Sequence, residues 1–328
     1  MPTARRHHTV PNFYLKGFAT TGAEPTIGTV GLKDGRRFRS ATSNATVWRN
    51  FYSIVGHPAG EDVFEQALSE IEGKAAGVIR QVAEGVWPLP TEEREILATF
   101  IAFQFLRGPD TRASLSQMES GLARVMFTAM GKEGLTREFE RMGKEVDEET
   151  LDKLLVQAAD PDGLKMQTTP LGHIVQILEL VPSILPFIIG RPWLLYRFER
   201  KTLLTCDTPV SLIRNPNFAE IEMGVGVFTA WGITVPLTRN IGLLLSDPTP
   251  TFEGITDEAE KRAVAESNAT GVSDAEIPPT TAMAKLFNSH TIANTRQWLF
   301  HHPDDVGLVP DELPEPREQE VNFSGQPW

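Results

Sequence analysis

Apolar residues recur at helical spacing through most of the chain between residues 61 and 190. Between residues 61 and 85 they fall three, four and seven positions apart, which is the pattern of one buried helix face. The next helix is predicted from residue 91, where two glutamates occupy the first turn, to a stop at Gly108-Pro109. Further helices are predicted over residues 11–18, 110–130 and 135–159, the last one broken near 143–147. The middle of the chain is therefore predicted to be a helical array.

Strand patterns flank this array. Residues 26–32 and 37–40 surround an Asp34-Gly35 turn and predict a hairpin. After residue 190 short apolar runs appear, and helix returns at 258–266 and 280–298. The runs are 193–198, 203–207, 224–228, 233–236 and 241–246. The predicted fold class is α+β, a mainly helical array with a small antiparallel sheet formed by the N-terminal hairpin and strands within 193–246.

One segment, residues 174–196, approaches the length of about 20 apolar residues that crosses a bilayer. Pro182, Pro186 and Arg191 interrupt it, and a kink or charge facing lipid is costly. The pattern favours a buried helix leading into a strand, and no membrane association is predicted.

Composition narrows the function classes. The 328 residues are 41% hydrophobic and 23% charged, which is typical of a globular protein and excludes a disordered or collagenous chain. The net charge of −12 argues against nonspecific nucleic-acid binding, because a polyanion is held by clustered Lys and Arg. The first 40 residues nevertheless carry seven Lys or Arg and two Asp or Glu. They form the one surface predicted to face an anion.

A single cysteine and the lack of an apolar N-terminal segment predict a cytoplasmic protein. Residues 1–302 are predicted to form one domain, followed by an acidic, proline-rich tail at 303–328. Seven acids and one arginine give this tail six of the twelve net negative charges. The tail is expected to lie along the surface or to be disordered, and the sequence leaves the oligomeric state open.

Polar residues in apolar surroundings are the candidates for chemistry. His7 and His8 are adjacent, so in an extended segment only one of them enters a given pocket; a neutral imidazole there serves as metal ligand or general base, and the alternative is a structural tie. Glu65 and Glu72 share a helix face. One or both carboxylates point inward and need a partner, or both reach out to water. Arg107 either pairs with Glu72 or clamps an anionic group.

Further polar positions lie near the predicted strands. Asp207 ends an apolar run, where a carboxylate is either a functional group or a turn former before proline. Cys206 has no sign of a paired base and is interpreted as a small core residue. On the last predicted helix, Asn288, His290 and Arg296 either complete a polar site or cap and solvate the helix.

Six segments together resemble a bacterial family known as a domain of unknown function. They are residues 7–18 (HHTVPNFYLKGF), 50–52 (NFY), 69–73 (SEIEG), 104–109 (QFLRGP), 204–210 (LTCDTPV) and 235–238 (VPLT). The family pattern reads His-His-x-Val-Pro-x-x-Tyr-Leu and, later, Ser/Thr-Asp-x-Pro-Val, with Cys206 here in a variable place. The resemblance spans about residues 6–300. It implies one domain with a shared site near the following residues: His7, His8, Glu72, Arg107 and Asp207.

Two functions follow as hypotheses. The first is a metal-assisted hydrolase of a phosphodiester or another small anionic substrate, with His7, His8, Arg107 and Asp207 as catalytic residues. In this hypothesis His8, Glu72 and Asp207 bind a divalent ion (Mg²⁺, Mn²⁺ or Zn²⁺) that activates water. The alternative is a noncatalytic binding or regulatory protein, including a defence or host-interaction component, in which these residues form a structural network.

Overall fold

The computed structural model describes residues 5–216 and 224–316, and their architecture confirms the α+β class. The helices are α1 (Asn12–Lys16), α2 (Val63–Ala83), α3 (Thr91–Leu106), α4 (Pro109–Arg141), α5 (Glu148–Ala159), α6 (Pro170–Ile189), α7 (Glu258–Ala269) and α8 (Thr281–Asn294). The strands are β1 (Arg6–His8), β2 (Thr26–Gly31), β3 (Arg37–Ala41), β4 (Val47–Arg49), β5 (Trp193–Arg197), β6 (Thr205–Cys206), β7 (Ser211–Ile213), β8 (Gly232–Thr238), β9 (Ile241–Ser246), β10 (Ala275–Glu276) and β11 (Trp298–His301). Short 3-10 helices cover Thr249–Phe252 and Pro303–Leu308.

The predicted helices form close to their expected bounds. Helix α4 bends at Gly131, where φ is 60°, next to the predicted end at residue 130. The break near 143–147 separates α4 from α5, and Asp147 caps α5 by accepting from the Thr150 N–H. Because a cap satisfies backbone groups that the helix leaves open, this local signal fixes the helix start.

The chain divides into two compact units. The first holds the described residues 5–108, 174–216 and 224–316, and the second holds residues 109–173. In the second unit α4 and α5 pack together, and the hydroxyl of Ser116 donates to Thr168. The assignment of residues 1–302 to one domain stays a prediction.

The first unit holds separate sheets where one was expected. Strand β1 pairs with β4, and a five-stranded sheet runs in the order β10-β5-β9-β8-β7. The predicted hairpin of β2 and β3 is present, but it belongs to a four-stranded sheet in the order β3-β2-β11-β6. Its partner β11 begins at Trp298, where the last helix was expected to end, because α8 already ends at Asn294. The strand expected at 224–228 is not formed.

The beginning of the predicted tail packs on the four-stranded sheet. Val309 is buried and Leu313 partly buried, and both contact a cluster that includes Val30 and Leu299. Arg239 also forms a bidentate ion pair with Asp305. The chain is therefore ordered on this sheet to at least Leu313, while residues 317–328 of the predicted tail lie outside the described part.

Helix α6 leads into β5 as predicted, but it is less buried than expected. Leu171, Val175, Leu178 and Phe187 are each more than 40% exposed. Among the described residues, α6 is the one helix long and apolar enough to cross a membrane by length and composition, with 28% of its most apolar window buried. The core of a globular protein supplies helices that pass the same test.

Candidate functional site

Strand β1 places the two adjacent histidines on opposite sides. His7 is buried, its Nδ1 accepts the Tyr52 N–H at 2.8 Å, and its ring stacks on Tyr52. Nε2 therefore carries the hydrogen, which it offers to Asp62 Oδ1 at 3.4 Å. Burial lowers the pKa of His7, against the raising effect of Asp62. The contacts of His7 make it an anchor that holds the N-terminal strand to the core.

His8 faces the other side and is half-buried. Its Nε2 lies 3.3 Å from the Ser43 carbonyl oxygen. Burial lowers the pKa of His8, so the neutral ring is favoured near pH 7. Because a carbonyl oxygen can only accept, Nε2 donates to Ser43, and in the neutral ring Nδ1 is the proton acceptor. His8 is thus the histidine of the pair that suits proton transfer.

The guanidinium group of Arg107, at the end of α3, bonds other groups of the protein through all three of its nitrogens. Its side chain is 1% exposed and pairs with Glu72 Oε1 through Nη1 at 2.7 Å. Nε donates to the Thr9 carbonyl at 2.8 Å and Nη2 to the His8 carbonyl at 2.9 Å. Tyr52 in turn donates its hydroxyl to the Arg107 carbonyl. Of the two sequence interpretations, this geometry favours the ion pair over the anion clamp.

Two glutamates of α2, Glu65 and Glu72, lie two turns apart beside Arg107. Glu72 is 21% exposed beside Arg107. Glu65 carries one carboxyl oxygen, Oε2, that is buried without a hydrogen-bond partner. Burial raises the pKa of Glu65 to about 7 against the opposing charge of Arg107, and the negative charge of Glu72 adds to the rise. The backbone N–H of His8 favours the charged form.

Glu65 is a functional candidate that the sequence-based site did not include, although the sequence predicted that it shares a helix face with Glu72. The available signal was its position seven residues before Glu72 on one helix face. The decisive fact, burial of one oxygen, depends on tertiary packing and cannot be predicted from the sequence of α2 alone. Tyr52 and Asp62, which hold His7, were also missed.

Asp207 serves a different place. Its Oδ1 accepts the Arg296 N–H at 3.0 Å, and its Oδ2 accepts the N–H groups of Gln297 at 2.8 Å and Trp298 at 3.1 Å. The carboxylate thereby orders the turn between α8 and β11, as the turn-former alternative requires. Asn288 has a similar structural use, since it bonds the backbone of Leu204 and Thr202.

Cys206 is fully buried, and burial raises its pKa to about 12, so it stays a thiol. His290 is half-buried, and burial lowers its pKa. Arg296 lies beyond the end of α8 and not on the helix face with Asn288 that was expected. These residues add nothing to the cluster around His8.

The expected metal ligands do not converge. Across residues 5–216 and 224–316, no three His, Cys, Asp or Glu side chains gather in a way that could hold a metal ion. His8 and Glu72 lie on the network of Arg107, whereas Asp207 is committed to backbone groups of residues 296–298. The structure thus brings together His8, Glu72 and Arg107, with His7 on the opposite side of β1 and linked to Arg107 through Tyr52. It corrects the inclusion of Asp207 as a ligand with His8 and Glu72.

Comparison with known proteins gives one result. No curated protein matches the chain, and no solved structure matches it. A family described as "Protein of unknown function (DUF4238)" matches residues 6–305. That match begins at β1 and includes every residue of the cluster just described. The chain therefore belongs to the DUF4238 family.

Proposed function

We propose that this chain is a hydrolase that works by general acid–base catalysis, with Glu65 as the group that exchanges a proton. The observation that carries it is the half-buried carboxyl of Glu65, with one unpartnered oxygen and a pKa of about 7. A group that titrates near the working pH both gives and takes protons efficiently. Such perturbed carboxyls concentrate at functional sites.

The surrounding residues account for this property. Burial is the main cause of the raised pKa of Glu65, and the charge of Arg107, which pairs with Glu72 and two carbonyl oxygens, only partly opposes it. The negative charge of Glu72 faces Glu65 and disfavours ionisation of the second carboxyl. His8, neutral near pH 7, is the second proton-transfer group. Glu65 and His8 are thus two titratable groups with different environments on one network, which is how acid and base roles are separated.

The proposed substrate is a phosphodiester or another small anionic ester, supported by the basic N-terminal segment. The sequence-based hypothesis added a divalent metal ion. The donors His8, Glu72 and Asp207 do not fit that group, because their side chains do not converge. The proposed steps therefore use only Glu65 and His8: one removes a proton from the attacking water, and the other gives a proton to the leaving group.

The test is hydrolysis of a panel of fluorogenic phosphodiesters, phosphomonoesters and carboxylic esters over pH 5–9. For a substrate that is hydrolysed, we expect kcat/KM to change with pH around an apparent pKa near 7, which gives the pH profile a limb. Glu65→Gln should lower kcat by about 10²–10⁴-fold and remove that limb. Glu70→Gln, an exposed residue on the same helix, is the matched control. Full activity in Glu65→Gln, or no turnover of the panel by the wild type, would contradict the assignment.

A noncatalytic protein is the second candidate, and one observation favours it. His7 and Arg107 are both buried, and their polar atoms bond the N-terminal strand and its neighbours. Such contacts are expected of residues that hold the N-terminal segment in place. In that case Glu65→Gln changes stability while the wild type turns over none of the panel. A cytoplasmic location and a small-molecule substrate remain proposals within the first candidate.

A further inference from the structure

Two arginines face each other across the first strand pair. Arg6 of β1 is the register partner of Arg49 of β4, and both side chains are exposed. The bonds from Asn50 N to Arg5 O and from Thr9 N to Thr46 O make 6/49 a non-hydrogen-bonded pair. In such a pair the two side chains lie closest together. The two arginine side chains therefore leave the strand pair close together on one face.

This arrangement costs stability unless an anion is present. Like charges directly opposite each other on a sheet destabilise it. Within residues 5–216 and 224–316, neither Arg6 nor Arg49 has a carboxylate at ion-pair distance; the nearby Asp62 pairs with Arg5. Instead, Arg6 is oriented by neutral groups, the Ser43 carbonyl and Asn44 Oδ1. Two like charges on one face, one of them oriented by neutral groups and neither with a carboxylate partner in the described part of the chain, form a site that a ligand anion would stabilise.

The pair borders the candidate site. Side chains two residues apart on a strand share a face, so Arg6 and His8 lie on the same side of β1. Both bond the same carbonyl, that of Ser43. The charges of Glu72, Arg107 and Arg6 all act on the His8 ring. A continuous path of polar groups therefore runs from the arginines through His8 to the carboxyl cluster.

We propose that Arg6 and Arg49 bind the phosphoryl group of the substrate and hold its ester bond toward His8 and Glu65. This inference rests on the proposed function and names the substrate class. Guanidinium groups present planar N–H donors that match phosphate oxygens, and two of them can grip one tetrahedral anion. The sequence-based hypothesis assigned anion binding to Arg107, which is buried. The structure favours two exposed arginines for this role.

Binding of inorganic phosphate to the full chain tests the assignment without using activity. Thermal unfolding and calorimetric titration are run with phosphate, and with acetate and chloride at equal ionic strength. Phosphate should raise the melting temperature of the wild type more than either other anion does. Arg49→Gln should weaken phosphate binding by about tenfold or more, the scale of one charge-assisted contact, and should raise the melting temperature in phosphate-free buffer.

Arg262→Gln is the matched control, because it removes one exposed arginine from α7; it should bind phosphate as the wild type does. Arg49→Lys keeps the charge without the planar fork and should give an intermediate affinity. Equal stabilisation by phosphate and acetate, or unchanged phosphate affinity in Arg49→Gln, overturns the proposal. Phosphate binding that depends on Arg49 without any turnover supports the anion site and rejects the hydrolase.

Discussion

Arg107 and Glu72 form an ion pair with one end in the core and the other near the surface: the arginine side chain is 1% exposed and the glutamate 21%. The same guanidinium binds the carbonyl groups of Thr9 and His8. One side chain thereby fixes both the strand that carries His8 and the helix that carries Glu72 and Glu65. Stability of the N-terminal region and geometry of the candidate site depend on the same contact.

Arg107→Ala should therefore be strongly destabilising. The substitution leaves Glu72 without its partner and removes a donor from the carbonyl oxygens of Thr9 and His8, of which Thr9 keeps the bond from Gln104 Nε2. Removing one partner of a buried ion pair costs about 3–5 kcal/mol, which urea denaturation measures as a lower midpoint. Arg141→Ala breaks an exposed pair with Glu138 and should cost about 0–1 kcal/mol. Similar losses for both variants would show that the Arg107 network has little structural importance.

The carboxyl of Glu65 predicts a pH dependence of stability with a definite sign. In the folded chain its pKa is about 7, whereas the ordinary value is 4.5. Between these values the folded state binds more protons than the unfolded state, so this group's contribution falls as pH rises through the window. The free energy of unfolding of the wild type, minus that of Glu65→Gln, should therefore decline from pH 4.5 to pH 7.

Urea denaturation of both proteins at half-unit pH steps checks this decline. Both proteins contain His7, His8 and the other titrating groups. Subtracting one free energy of unfolding from the other therefore removes the contributions of these groups. A difference that stays flat across the window would show that the Glu65 carboxyl is not held in its protonated form.

Asp207 should matter for folding and not for turnover. Its carboxylate accepts three backbone N–H groups at the turn between α8 and β11. Asp207→Ala leaves these donors without their acceptor, and the loss of charge-assisted bonds should lower stability by about 1.5–3 kcal/mol. In the folded fraction, kcat and KM should equal those of the wild type. A large fall in kcat with unchanged stability would return Asp207 to the site.

The sequence predicted the helices well because the signals that define them are local. Periodicity and terminal residues are contained within each segment, as at the Gly108-Pro109 stop after α3. Strand β11 was missed because its four residues directly follow an amphipathic helix, and its identity depends on pairing with β2, more than 250 residues away. Separation of the strands into distinct sheets is non-local for the same reason.

The candidate site shows a similar division. Pairing of Arg107 with Glu72 was foreseeable, since a buried cation in apolar surroundings needs an acid. The raised pKa of Glu65 was not, because it arises from burial of the carboxyl in the folded chain. Asp207 was misplaced for the opposite reason: a carboxylate at a strand end looks the same whether it meets a ligand or the backbone of a distant turn.

Two glycines with opposite surroundings provide a further test of the fold. A Cβ on Gly242 of β9 would lie 2.7 Å from Cζ of Phe287, a residue of α8 that is fully buried. Gly242→Ala must therefore displace the ring or separate the helix from the sheet, and overpacking of this kind typically costs about 1–3 kcal/mol.

Gly73, in the interior of α2, has open space around the same position, so Gly73→Ala should stabilise the protein by about 0.5–1 kcal/mol through helix propensity. Urea denaturation of the two variants should give midpoints on opposite sides of the wild type. Because each change adds one methyl group, the difference in sign isolates the close contact between α8 and β9. A stabilising Gly242→Ala would mean that the Phe287 ring does not rest on this strand.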